Sequence, residues 1–528
     1  MYPAGPVARE GGNRICSVCP LALEDLLHLL HLVDARTALV DRRHTHAIDT
    51  TMSASSSSAA PTTEEEERLK KQQKRKRDED DDDDDDEQDD DEEGEAEAEG
   101  GGGGGDDSDS GRDERDERDG GDSESDASDV EEEVFFTACA EGDLDEAKRL
   151  HAAGKADLTT GDAEEGDTPL GVACRFGQVE VAKWLASCGA PLDQANTAGE
   201  TPLHEAAHQG HAAVVSWLLP QLSAAQLDAR NGVGLTPLGF ACLGGSVEAA
   251  ELLIATGASA AAVDEEGHGL LHLAASAGHT DVVKALRETH SLPLDAKDAD
   301  GRTPLHLACG SAALPAAQYL HGAGAPLDAP DGVANTPLNF ACAAGAAEVA
   351  RWLLAQGAAA AKPNDDGNAP LHYAAQAGEV QLLDELLAKV GGGAEAAAPR
   401  NGDGDTPFLL GCFGGHLGVC EALRARGAGD AAQLNEMRCS GLLQACVAGE
   451  LELAEWLLPL APSMLDAADA TGTTPLMHAC EQGHRAVAKW LLAQGARPTE
   501  AAAKLAQSRG HKEVAKMVRK AVAAAPEK

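Results

Sequence analysis

A tetrapeptide close to TPLH returns every 33 to 37 residues from Thr168 almost to the end of this 528-residue chain. It reads TPLH at 201–204 and 303–306, TPLG at 168–171 and 236–239, and TPLN at 336–339. It reads APLH at 369–372, TPFL at 406–409 and TPLM at 474–477, with weaker copies GLLH at 269–272 and SGLL at 440–443. Each copy leads into a pair of small residues, a glycine, and then an apolar cluster such as VVSWLL or VARWLL. A period of this length marks a supersecondary block that buries its apolar face only against its neighbours. Length therefore says nothing about domain number here, because such a chain grows by addition.

The form of one block follows from elementary helix chemistry. Thr201 has a hydroxyl suited to capping a helix start, and Pro202 falls at the first helical position, where a missing N–H costs nothing. Leu203, Ala206 and Ala207 offer a narrow face for close stacking, and Gly210 ends the helix in the left-handed conformation that other residues resist. Val214, Val215, Leu218 and Leu219 form the stripe of a second, antiparallel helix. Residues 228–234 are polar and glycine-containing, as a turn into the next block requires.

On these residues the blocks resemble the ankyrin repeat. The resemblance implies an all-α solenoid of about ten clear repeats plus two capping units, each a helix-turn-helix with a hairpin loop, over residues 131–524. It further implies that His204, His272, His306 and His372 form hydrogen bonds in the turn regions and steady the stack. The segments 135–150 and 503–518 keep the spacing but not the motif and read as caps, making twelve units. Two departures stand out. Ala312 occupies a glycine position ahead of Pro315, so that turn should be strained or altered. The unit from Ala369 is the longest, swollen at 391–393, a plausible flexible point between a front and a back block.

Eight of the thirteen cysteines fall at one repeat position: Cys139, Cys174, Cys242, Cys309, Cys342, Cys412, Cys446 and Cys480. Other units carry Ala207, Ala275 or Ala375 there, so these thiols read as small packing groups. Adjacent units lie roughly 8–10 Å apart, beyond the ~7 Å Cα separation a disulfide spans. Such thiol usage points to a reducing compartment, the cytosol or nucleus. The five tryptophans, at 184, 217, 352, 456 and 490, share a second-helix position and read as inter-unit packing. Cys16, Cys19, His28 and His31 have the ligand types of a zinc site at too short a spacing and read as coincidence, so no metal or cofactor is expected.

The formal charge of −48 is uneven. Residues 61–133 carry 37 acidic and 10 basic side chains, and 134–528 carry 47 and 27. A stretch so acidic and so poor in apolar residues cannot offset its ordering entropy, so 52–130 reads as a disordered low-complexity region. Within it Lys70, Lys71, Lys74, Arg75, Lys76 and Arg77 form a basic run, a nuclear import signal or else a counterweight to the neighbouring acids. Ser123 and Ser128 precede acidic residues and are candidate phosphorylation sites. Residues 1–51 read either as a mostly unstructured gene-model extension ahead of a start at Met52 or as part of the chain. No apolar run reaches the ~18–20 residues of a membrane span.

No phosphate-binding loop, metalloprotease helix, nucleophile elbow or kinase signature occurs, and the chain reads as non-enzymatic. What the family resemblance implies is a monomeric protein-interaction scaffold that binds through the concave face and hairpin tips. On this sequence the residue after the motif is Glu205, Phe240, Leu273, Leu307, Phe340 or Tyr373. The pair before the glycine includes Arg175 and Phe176, His208 and Gln209, and Gln376. The apolar ones fit groove packing as well as contact with a partner. Tips at 264–266, 298–300 (with Asp298 and Asp300) and 364–366 make the edge acidic and favour partners with basic segments. Direct DNA binding is disfavoured by the charge of the array. A rival reading makes the acidic tract the working element, a nuclear chaperone of histones or other basic proteins.

Overall fold

The computed structural model describes residues 125–162, 165–391 and 398–524, with side chains from residue 131. The extension, the acidic tract to residue 124, the basic run, Ser123 and residues 392–393 lie outside the described residues. Twelve helix pairs follow one another along the described chain. Unit 1 comprises Ser125–Glu141 and Leu144–Ala152. Its first helix thus starts ahead of residue 131, where the array was expected to begin, and Ser128 lies within it. Units 2 to 11 begin at the ten motifs in chain order, and unit 12 comprises Glu500–Ser508 and Lys512–Ala524. Among the described residues there are no strands beyond two isolated bridges, Val263 to Gly269 and Leu434 to Ser440. No described helix is long and apolar enough to cross a membrane.

Unit 3 shows how the sequence becomes the stack. Thr201 is extended and Pro202 opens the helix Pro202–His208. The second helix, Ala212–Leu218, turns back on the first. Leu203, Ala206, Ala207, Val214, Val215 and Leu218 are all essentially inaccessible to solvent. First helices pack on the first helices of both neighbouring units more extensively than second helices pack on theirs. Small side chains at Ala206, Ala207 and their equivalents permit that closeness.

The glycine ending a first helix is held by its left-handed backbone and, in several units, by a close neighbour in the next unit. Gly245 has φ 76°, and a Cβ there would sit 2.6 Å from Nδ1 of His279 in the next unit. Ala312 fills the same role with φ 57°, the altered turn that its sequence implied. Pro315 lies in the first turn of Leu314–Gly322, where its missing N–H is tolerated.

All eight repeat-position cysteines are fully buried. Burial pushes the thiols of Cys139, Cys242, Cys446 and Cys480 up to about 12, so they behave as apolar atoms. Inside unit 9, the Cys412 and Cys420 sulfurs lie 3.5 Å apart as free thiols. The five tryptophans are half-buried against the core.

Candidate functional site: hairpin tips and the first-helix row

Each hairpin leading into units 2 to 11 is organised by one inward-turned Asp or Asn. Oδ1 of Asn196 accepts the N–H groups of Ala198 and Glu200, and Asn231 does the same for Val233 and Leu235. Asp264, Asp298, Asp331, Asn401 and Asp469 repeat the pattern. Successive tips are then joined by single backbone bonds, such as Glu265 N–H to the Val233 carbonyl at 3.2 Å and Ala299 N–H to that of Glu266 at 2.9 Å.

This geometry corrects the sequence reading of the tips. Asp298 is not a free surface acid: its side chain is 0% exposed and accepts from Arg302 Nε at 2.7 Å. Burial alone would raise its pKa, but bonds to His268 and Arg302 outweigh that and hold it at about 2. His268 is the counterpart. Burial opposes its charge, yet Asp264 and Asp298 prevail and lift it to about 9. Asp264 and Asn364 likewise serve their own loops. The exposed acids are Glu265, Glu266, Asp300, Asp365 and Asp366. Asp300 lies 3.0 Å from Arg302, with its side chain 63% exposed. Nearby cations are bent back onto carbonyls of the next hairpin: Arg230 onto Val263, Lys297 onto Pro330 and Arg400 onto Leu434.

The first-helix row is corrected as well. Glu205, Phe240, Leu273, Leu307 and Phe340 are all buried between units, so they hold the stack together and do not line an open groove. The His204 and His208 rings meet Phe240 edge-on at 5.1 and 5.7 Å. Tyr373 is half-buried, and its hydroxyl donates to Asn335 Oδ1 at 3.0 Å while accepting from Asn364 Nδ2 at 3.1 Å. Phe176, Gln209 and Gln376 are half-buried at the rim, while Arg175 and His208 are nearly closed over.

Two of the candidates touch each other. Arg175 Nε donates to Glu205 Oε2 at 2.9 Å, and its Nη2 contacts Glu165 and, at 2.5 Å, Asp167. Three carboxylates around one guanidinium leave an acidic surplus, and burial pushes both Asp167 and Glu205 upward despite Arg175. Farther along the row, Gln444 is 1% exposed, and neither of its amide atoms has a hydrogen-bond partner.

The motif histidines behave as the resemblance implied. Nδ1 of His204, His272, His306 and His372 accepts the N–H that starts its own helix, at 3.0 to 3.2 Å. Nε2 then donates to a carbonyl of the next hairpin: Leu235, Arg302, Asn335 and Pro399 respectively. The histidine explains why Gly269 and Ala369 can stand where other units have threonine. A second set was missed in the sequence. His211, His279, His416 and His484 donate backwards to Arg175, Leu243, Gln376 and Val447 carbonyls. Their signal was a histidine recurring ten residues after the motif begins.

With this geometry in place, the chain belongs to the ankyrin-repeat family. The model for ankyrin repeats, three copies long, matches it in overlapping segments from residue 135 to residue 521. Such arrays are in general non-enzymatic interaction domains. Over 160 residues the chain is 32% identical to the NF-kappa-B p105 subunit of Gallus gallus, covering 30% of this chain and 16% of that protein. It is 31% identical over 149 residues to Rabankyrin-5 of Homo sapiens, covering 28% and 13%. It is 36% identical over 148 residues to SH3 and multiple ankyrin repeat domains protein 2 of Homo sapiens, covering 28% and 8%. The chain thus spans a small part of each relative. A crystal structure of the human ASB11 ankyrin repeat domain, 27% identical, aligns with a TM-score of 0.39 over 43% of this chain and 99% of that one.

Proposed function

We propose that this protein is a non-enzymatic scaffold, working in the cytosol or nucleus, that holds partners with basic segments along its row of hairpin tips. The observation that carries the reading is the sorting of charge at the tips. Glu265, Glu266, Asp300, Asp365 and Asp366 face solvent, and the exposed cations Arg230, Lys297 and Arg400 are fewer and are each tied to a neighbouring carbonyl. An exposed row with a surplus of acid steers oppositely charged partners, and salt screens that attraction beyond roughly 8–10 Å.

The test is affinity capture with the full chain at low and at physiological salt, followed by mass spectrometry. A variant carrying Glu265→Gln, Glu266→Gln, Asp365→Asn and Asp366→Asn runs in parallel. Partners rich in Lys and Arg should be captured at low salt, weaken as salt rises, and weaken again on the variant. An unchanged partner set on the variant at both salts overturns the reading. Deleting residues 53–124 separates it from the chaperone alternative, because a tip-binding scaffold retains its partners and an acidic-tract chaperone loses them.

A further inference from the structure

Among the described residues, six large apolar side chains are exposed, and four of them lie in hairpins: Val233, Val263, Val333 and Met437. Val233, Val333 and Met437 share one tip position, in the hairpins leading into units 4, 7 and 10. They are 46%, 48% and 36% exposed. The two tips between each pair carry acids: Glu265, Glu266 and Asp300 in the first interval, Asp365, Asp366 and Asp403 in the second. Each third tip is therefore apolar and the intervening tips are acidic.

The backbone at these positions is already spoken for. The carbonyls of Val233, Val333 and Met437 accept the N–H groups of Glu265, Asp365 and Ala470 on the following tips. The N–H groups of Val233 and Val333 are held by Asn231 and Asp331. What remains for another molecule is the side chain alone, on a fixed support, and contacts from a fixed support lose little ordering entropy on binding.

Resting on the scaffold reading above, we infer that the tip row recognises an extended basic segment of a partner protein carrying an apolar side chain at every eighth residue. Units stacked roughly 8–10 Å apart place the apolar tips about 24–30 Å from one another. An extended chain rising about 3.3 Å per residue covers that interval in about seven to nine residues, and because successive side chains alternate in direction, a spacing of eight returns the anchor to the same face. Alternate residues between anchors face the acidic tips and carry the positive charge. Arg230 near Val233 and Arg438 beside Met437 are exposed like charges that such a segment meets at its anchor tips.

The test uses three 17-residue peptides and the full chain, read by fluorescence anisotropy at low salt. The first is lysine-rich with leucine at positions 1, 9 and 17; the second has the same composition with its leucines adjacent; the third has serine for leucine. Half-exposed apolar tips that become covered should favour the first peptide over the third by tenfold or more, and over the second as well. A chain carrying Val233→Ser, Val333→Ser and Met437→Ser, with an unchanged melting curve, should bind all three equally. Equal binding of the three peptides by the native chain, or a preference that survives the triple change, overturns the inference. If no peptide binds at all, the basic-partner reading itself fails.

Discussion

His306 offers the sharpest measurement, because its role turns on a single proton. Its ring is buried, and burial drives its pKa from 6.5 to about 4 against the smaller opposing pull of the Asn335 carbonyl. The folded unit therefore keeps it neutral, with Nδ1 accepting from Thr303 N–H at 3.0 Å and Nε2 donating at 3.2 Å. The sign follows from linkage. As pH falls below 6.5 the unfolded chain takes up a proton that the folded one refuses, so stability is complete above that pH and declines until about pH 4. At pH 5 the loss is about 2 kcal/mol, from roughly 1.5 pH units at 1.36 kcal/mol each. The perturbation to use is His306→Asn, because unit 7 already has Asn339 at this position, bonded to Thr336 and Asn335. Urea unfolding followed by circular dichroism at pH 7.5 and 5.0 gives the comparison. Native protein should exceed the variant at pH 7.5 by about 1–2 kcal/mol, the net worth of the bonds lost. At pH 5.0 that advantage should vanish. A gap of the same size at both pH values would refute a buried neutral imidazole.

Three further outcomes follow from packing and backbone geometry. Ala312→Gly should raise stability by about 0.5–1 kcal/mol in thermal or urea melts, because the left-handed backbone there strains any side chain. Gln444→Leu should stabilise the array by about 1–3 kcal/mol by removing two buried polar atoms without partners; a destabilised variant would show that the amide has an undetected partner. Cys342→Ala should be mild, while Cys342→Leu should cost about 1–3 kcal/mol through overpacking, read as a shift in the urea midpoint.

Local chemistry made the fold legible. Thr201, Pro202 and Gly210 announce a helix start and stop within ten residues, and ten copies fix the architecture, including the caps. The tips were harder to read, because charge in a sequence does not say which way a side chain turns. Asp298 and Asp300 look alike as letters, but only the first has two N–H groups placed to receive it. The signal was available: Asp or Asn stands five residues ahead of the motif in nine units, from Asn196 to Asp469. Such regularity belongs to a loop's own hydrogen bonds and not to a partner-facing surface. The first-helix row misled for a related reason. Phe240 and Leu307 have the exposure pattern of a groove only if neighbouring units stand apart, and alanines and buried cysteines bring them close. Arg175 and Glu205, thirty residues apart, gave no local sign of meeting.

The histidine bonds described above divide the array into lengths of unequal cohesion. Most junctions between units receive a histidine bond from one side, forward from the motif or backward from the second helix. The junction between units 8 and 9 receives both, from His372 to Pro399 and from His416 to Gln376. The junctions on either side of it have neither: the corresponding positions hold Asn339 and Glu379 before it, and Leu409 and Glu450 after it. Those seams are held by other bonds, among them Tyr373 to Asn335 at 3.0 Å and Arg351 to Glu385 at 3.0 Å in the first, and Asn435 to Asp405 at 2.8 Å and Arg400 to the Leu434 carbonyl at 3.1 Å in the second. Units 8 and 9 are therefore tied by histidine in both directions, while the seams on either side draw their cohesion from other side chains and from backbone bonds. Removing the histidine bonds loosens the doubly tied junction and leaves those two seams untouched.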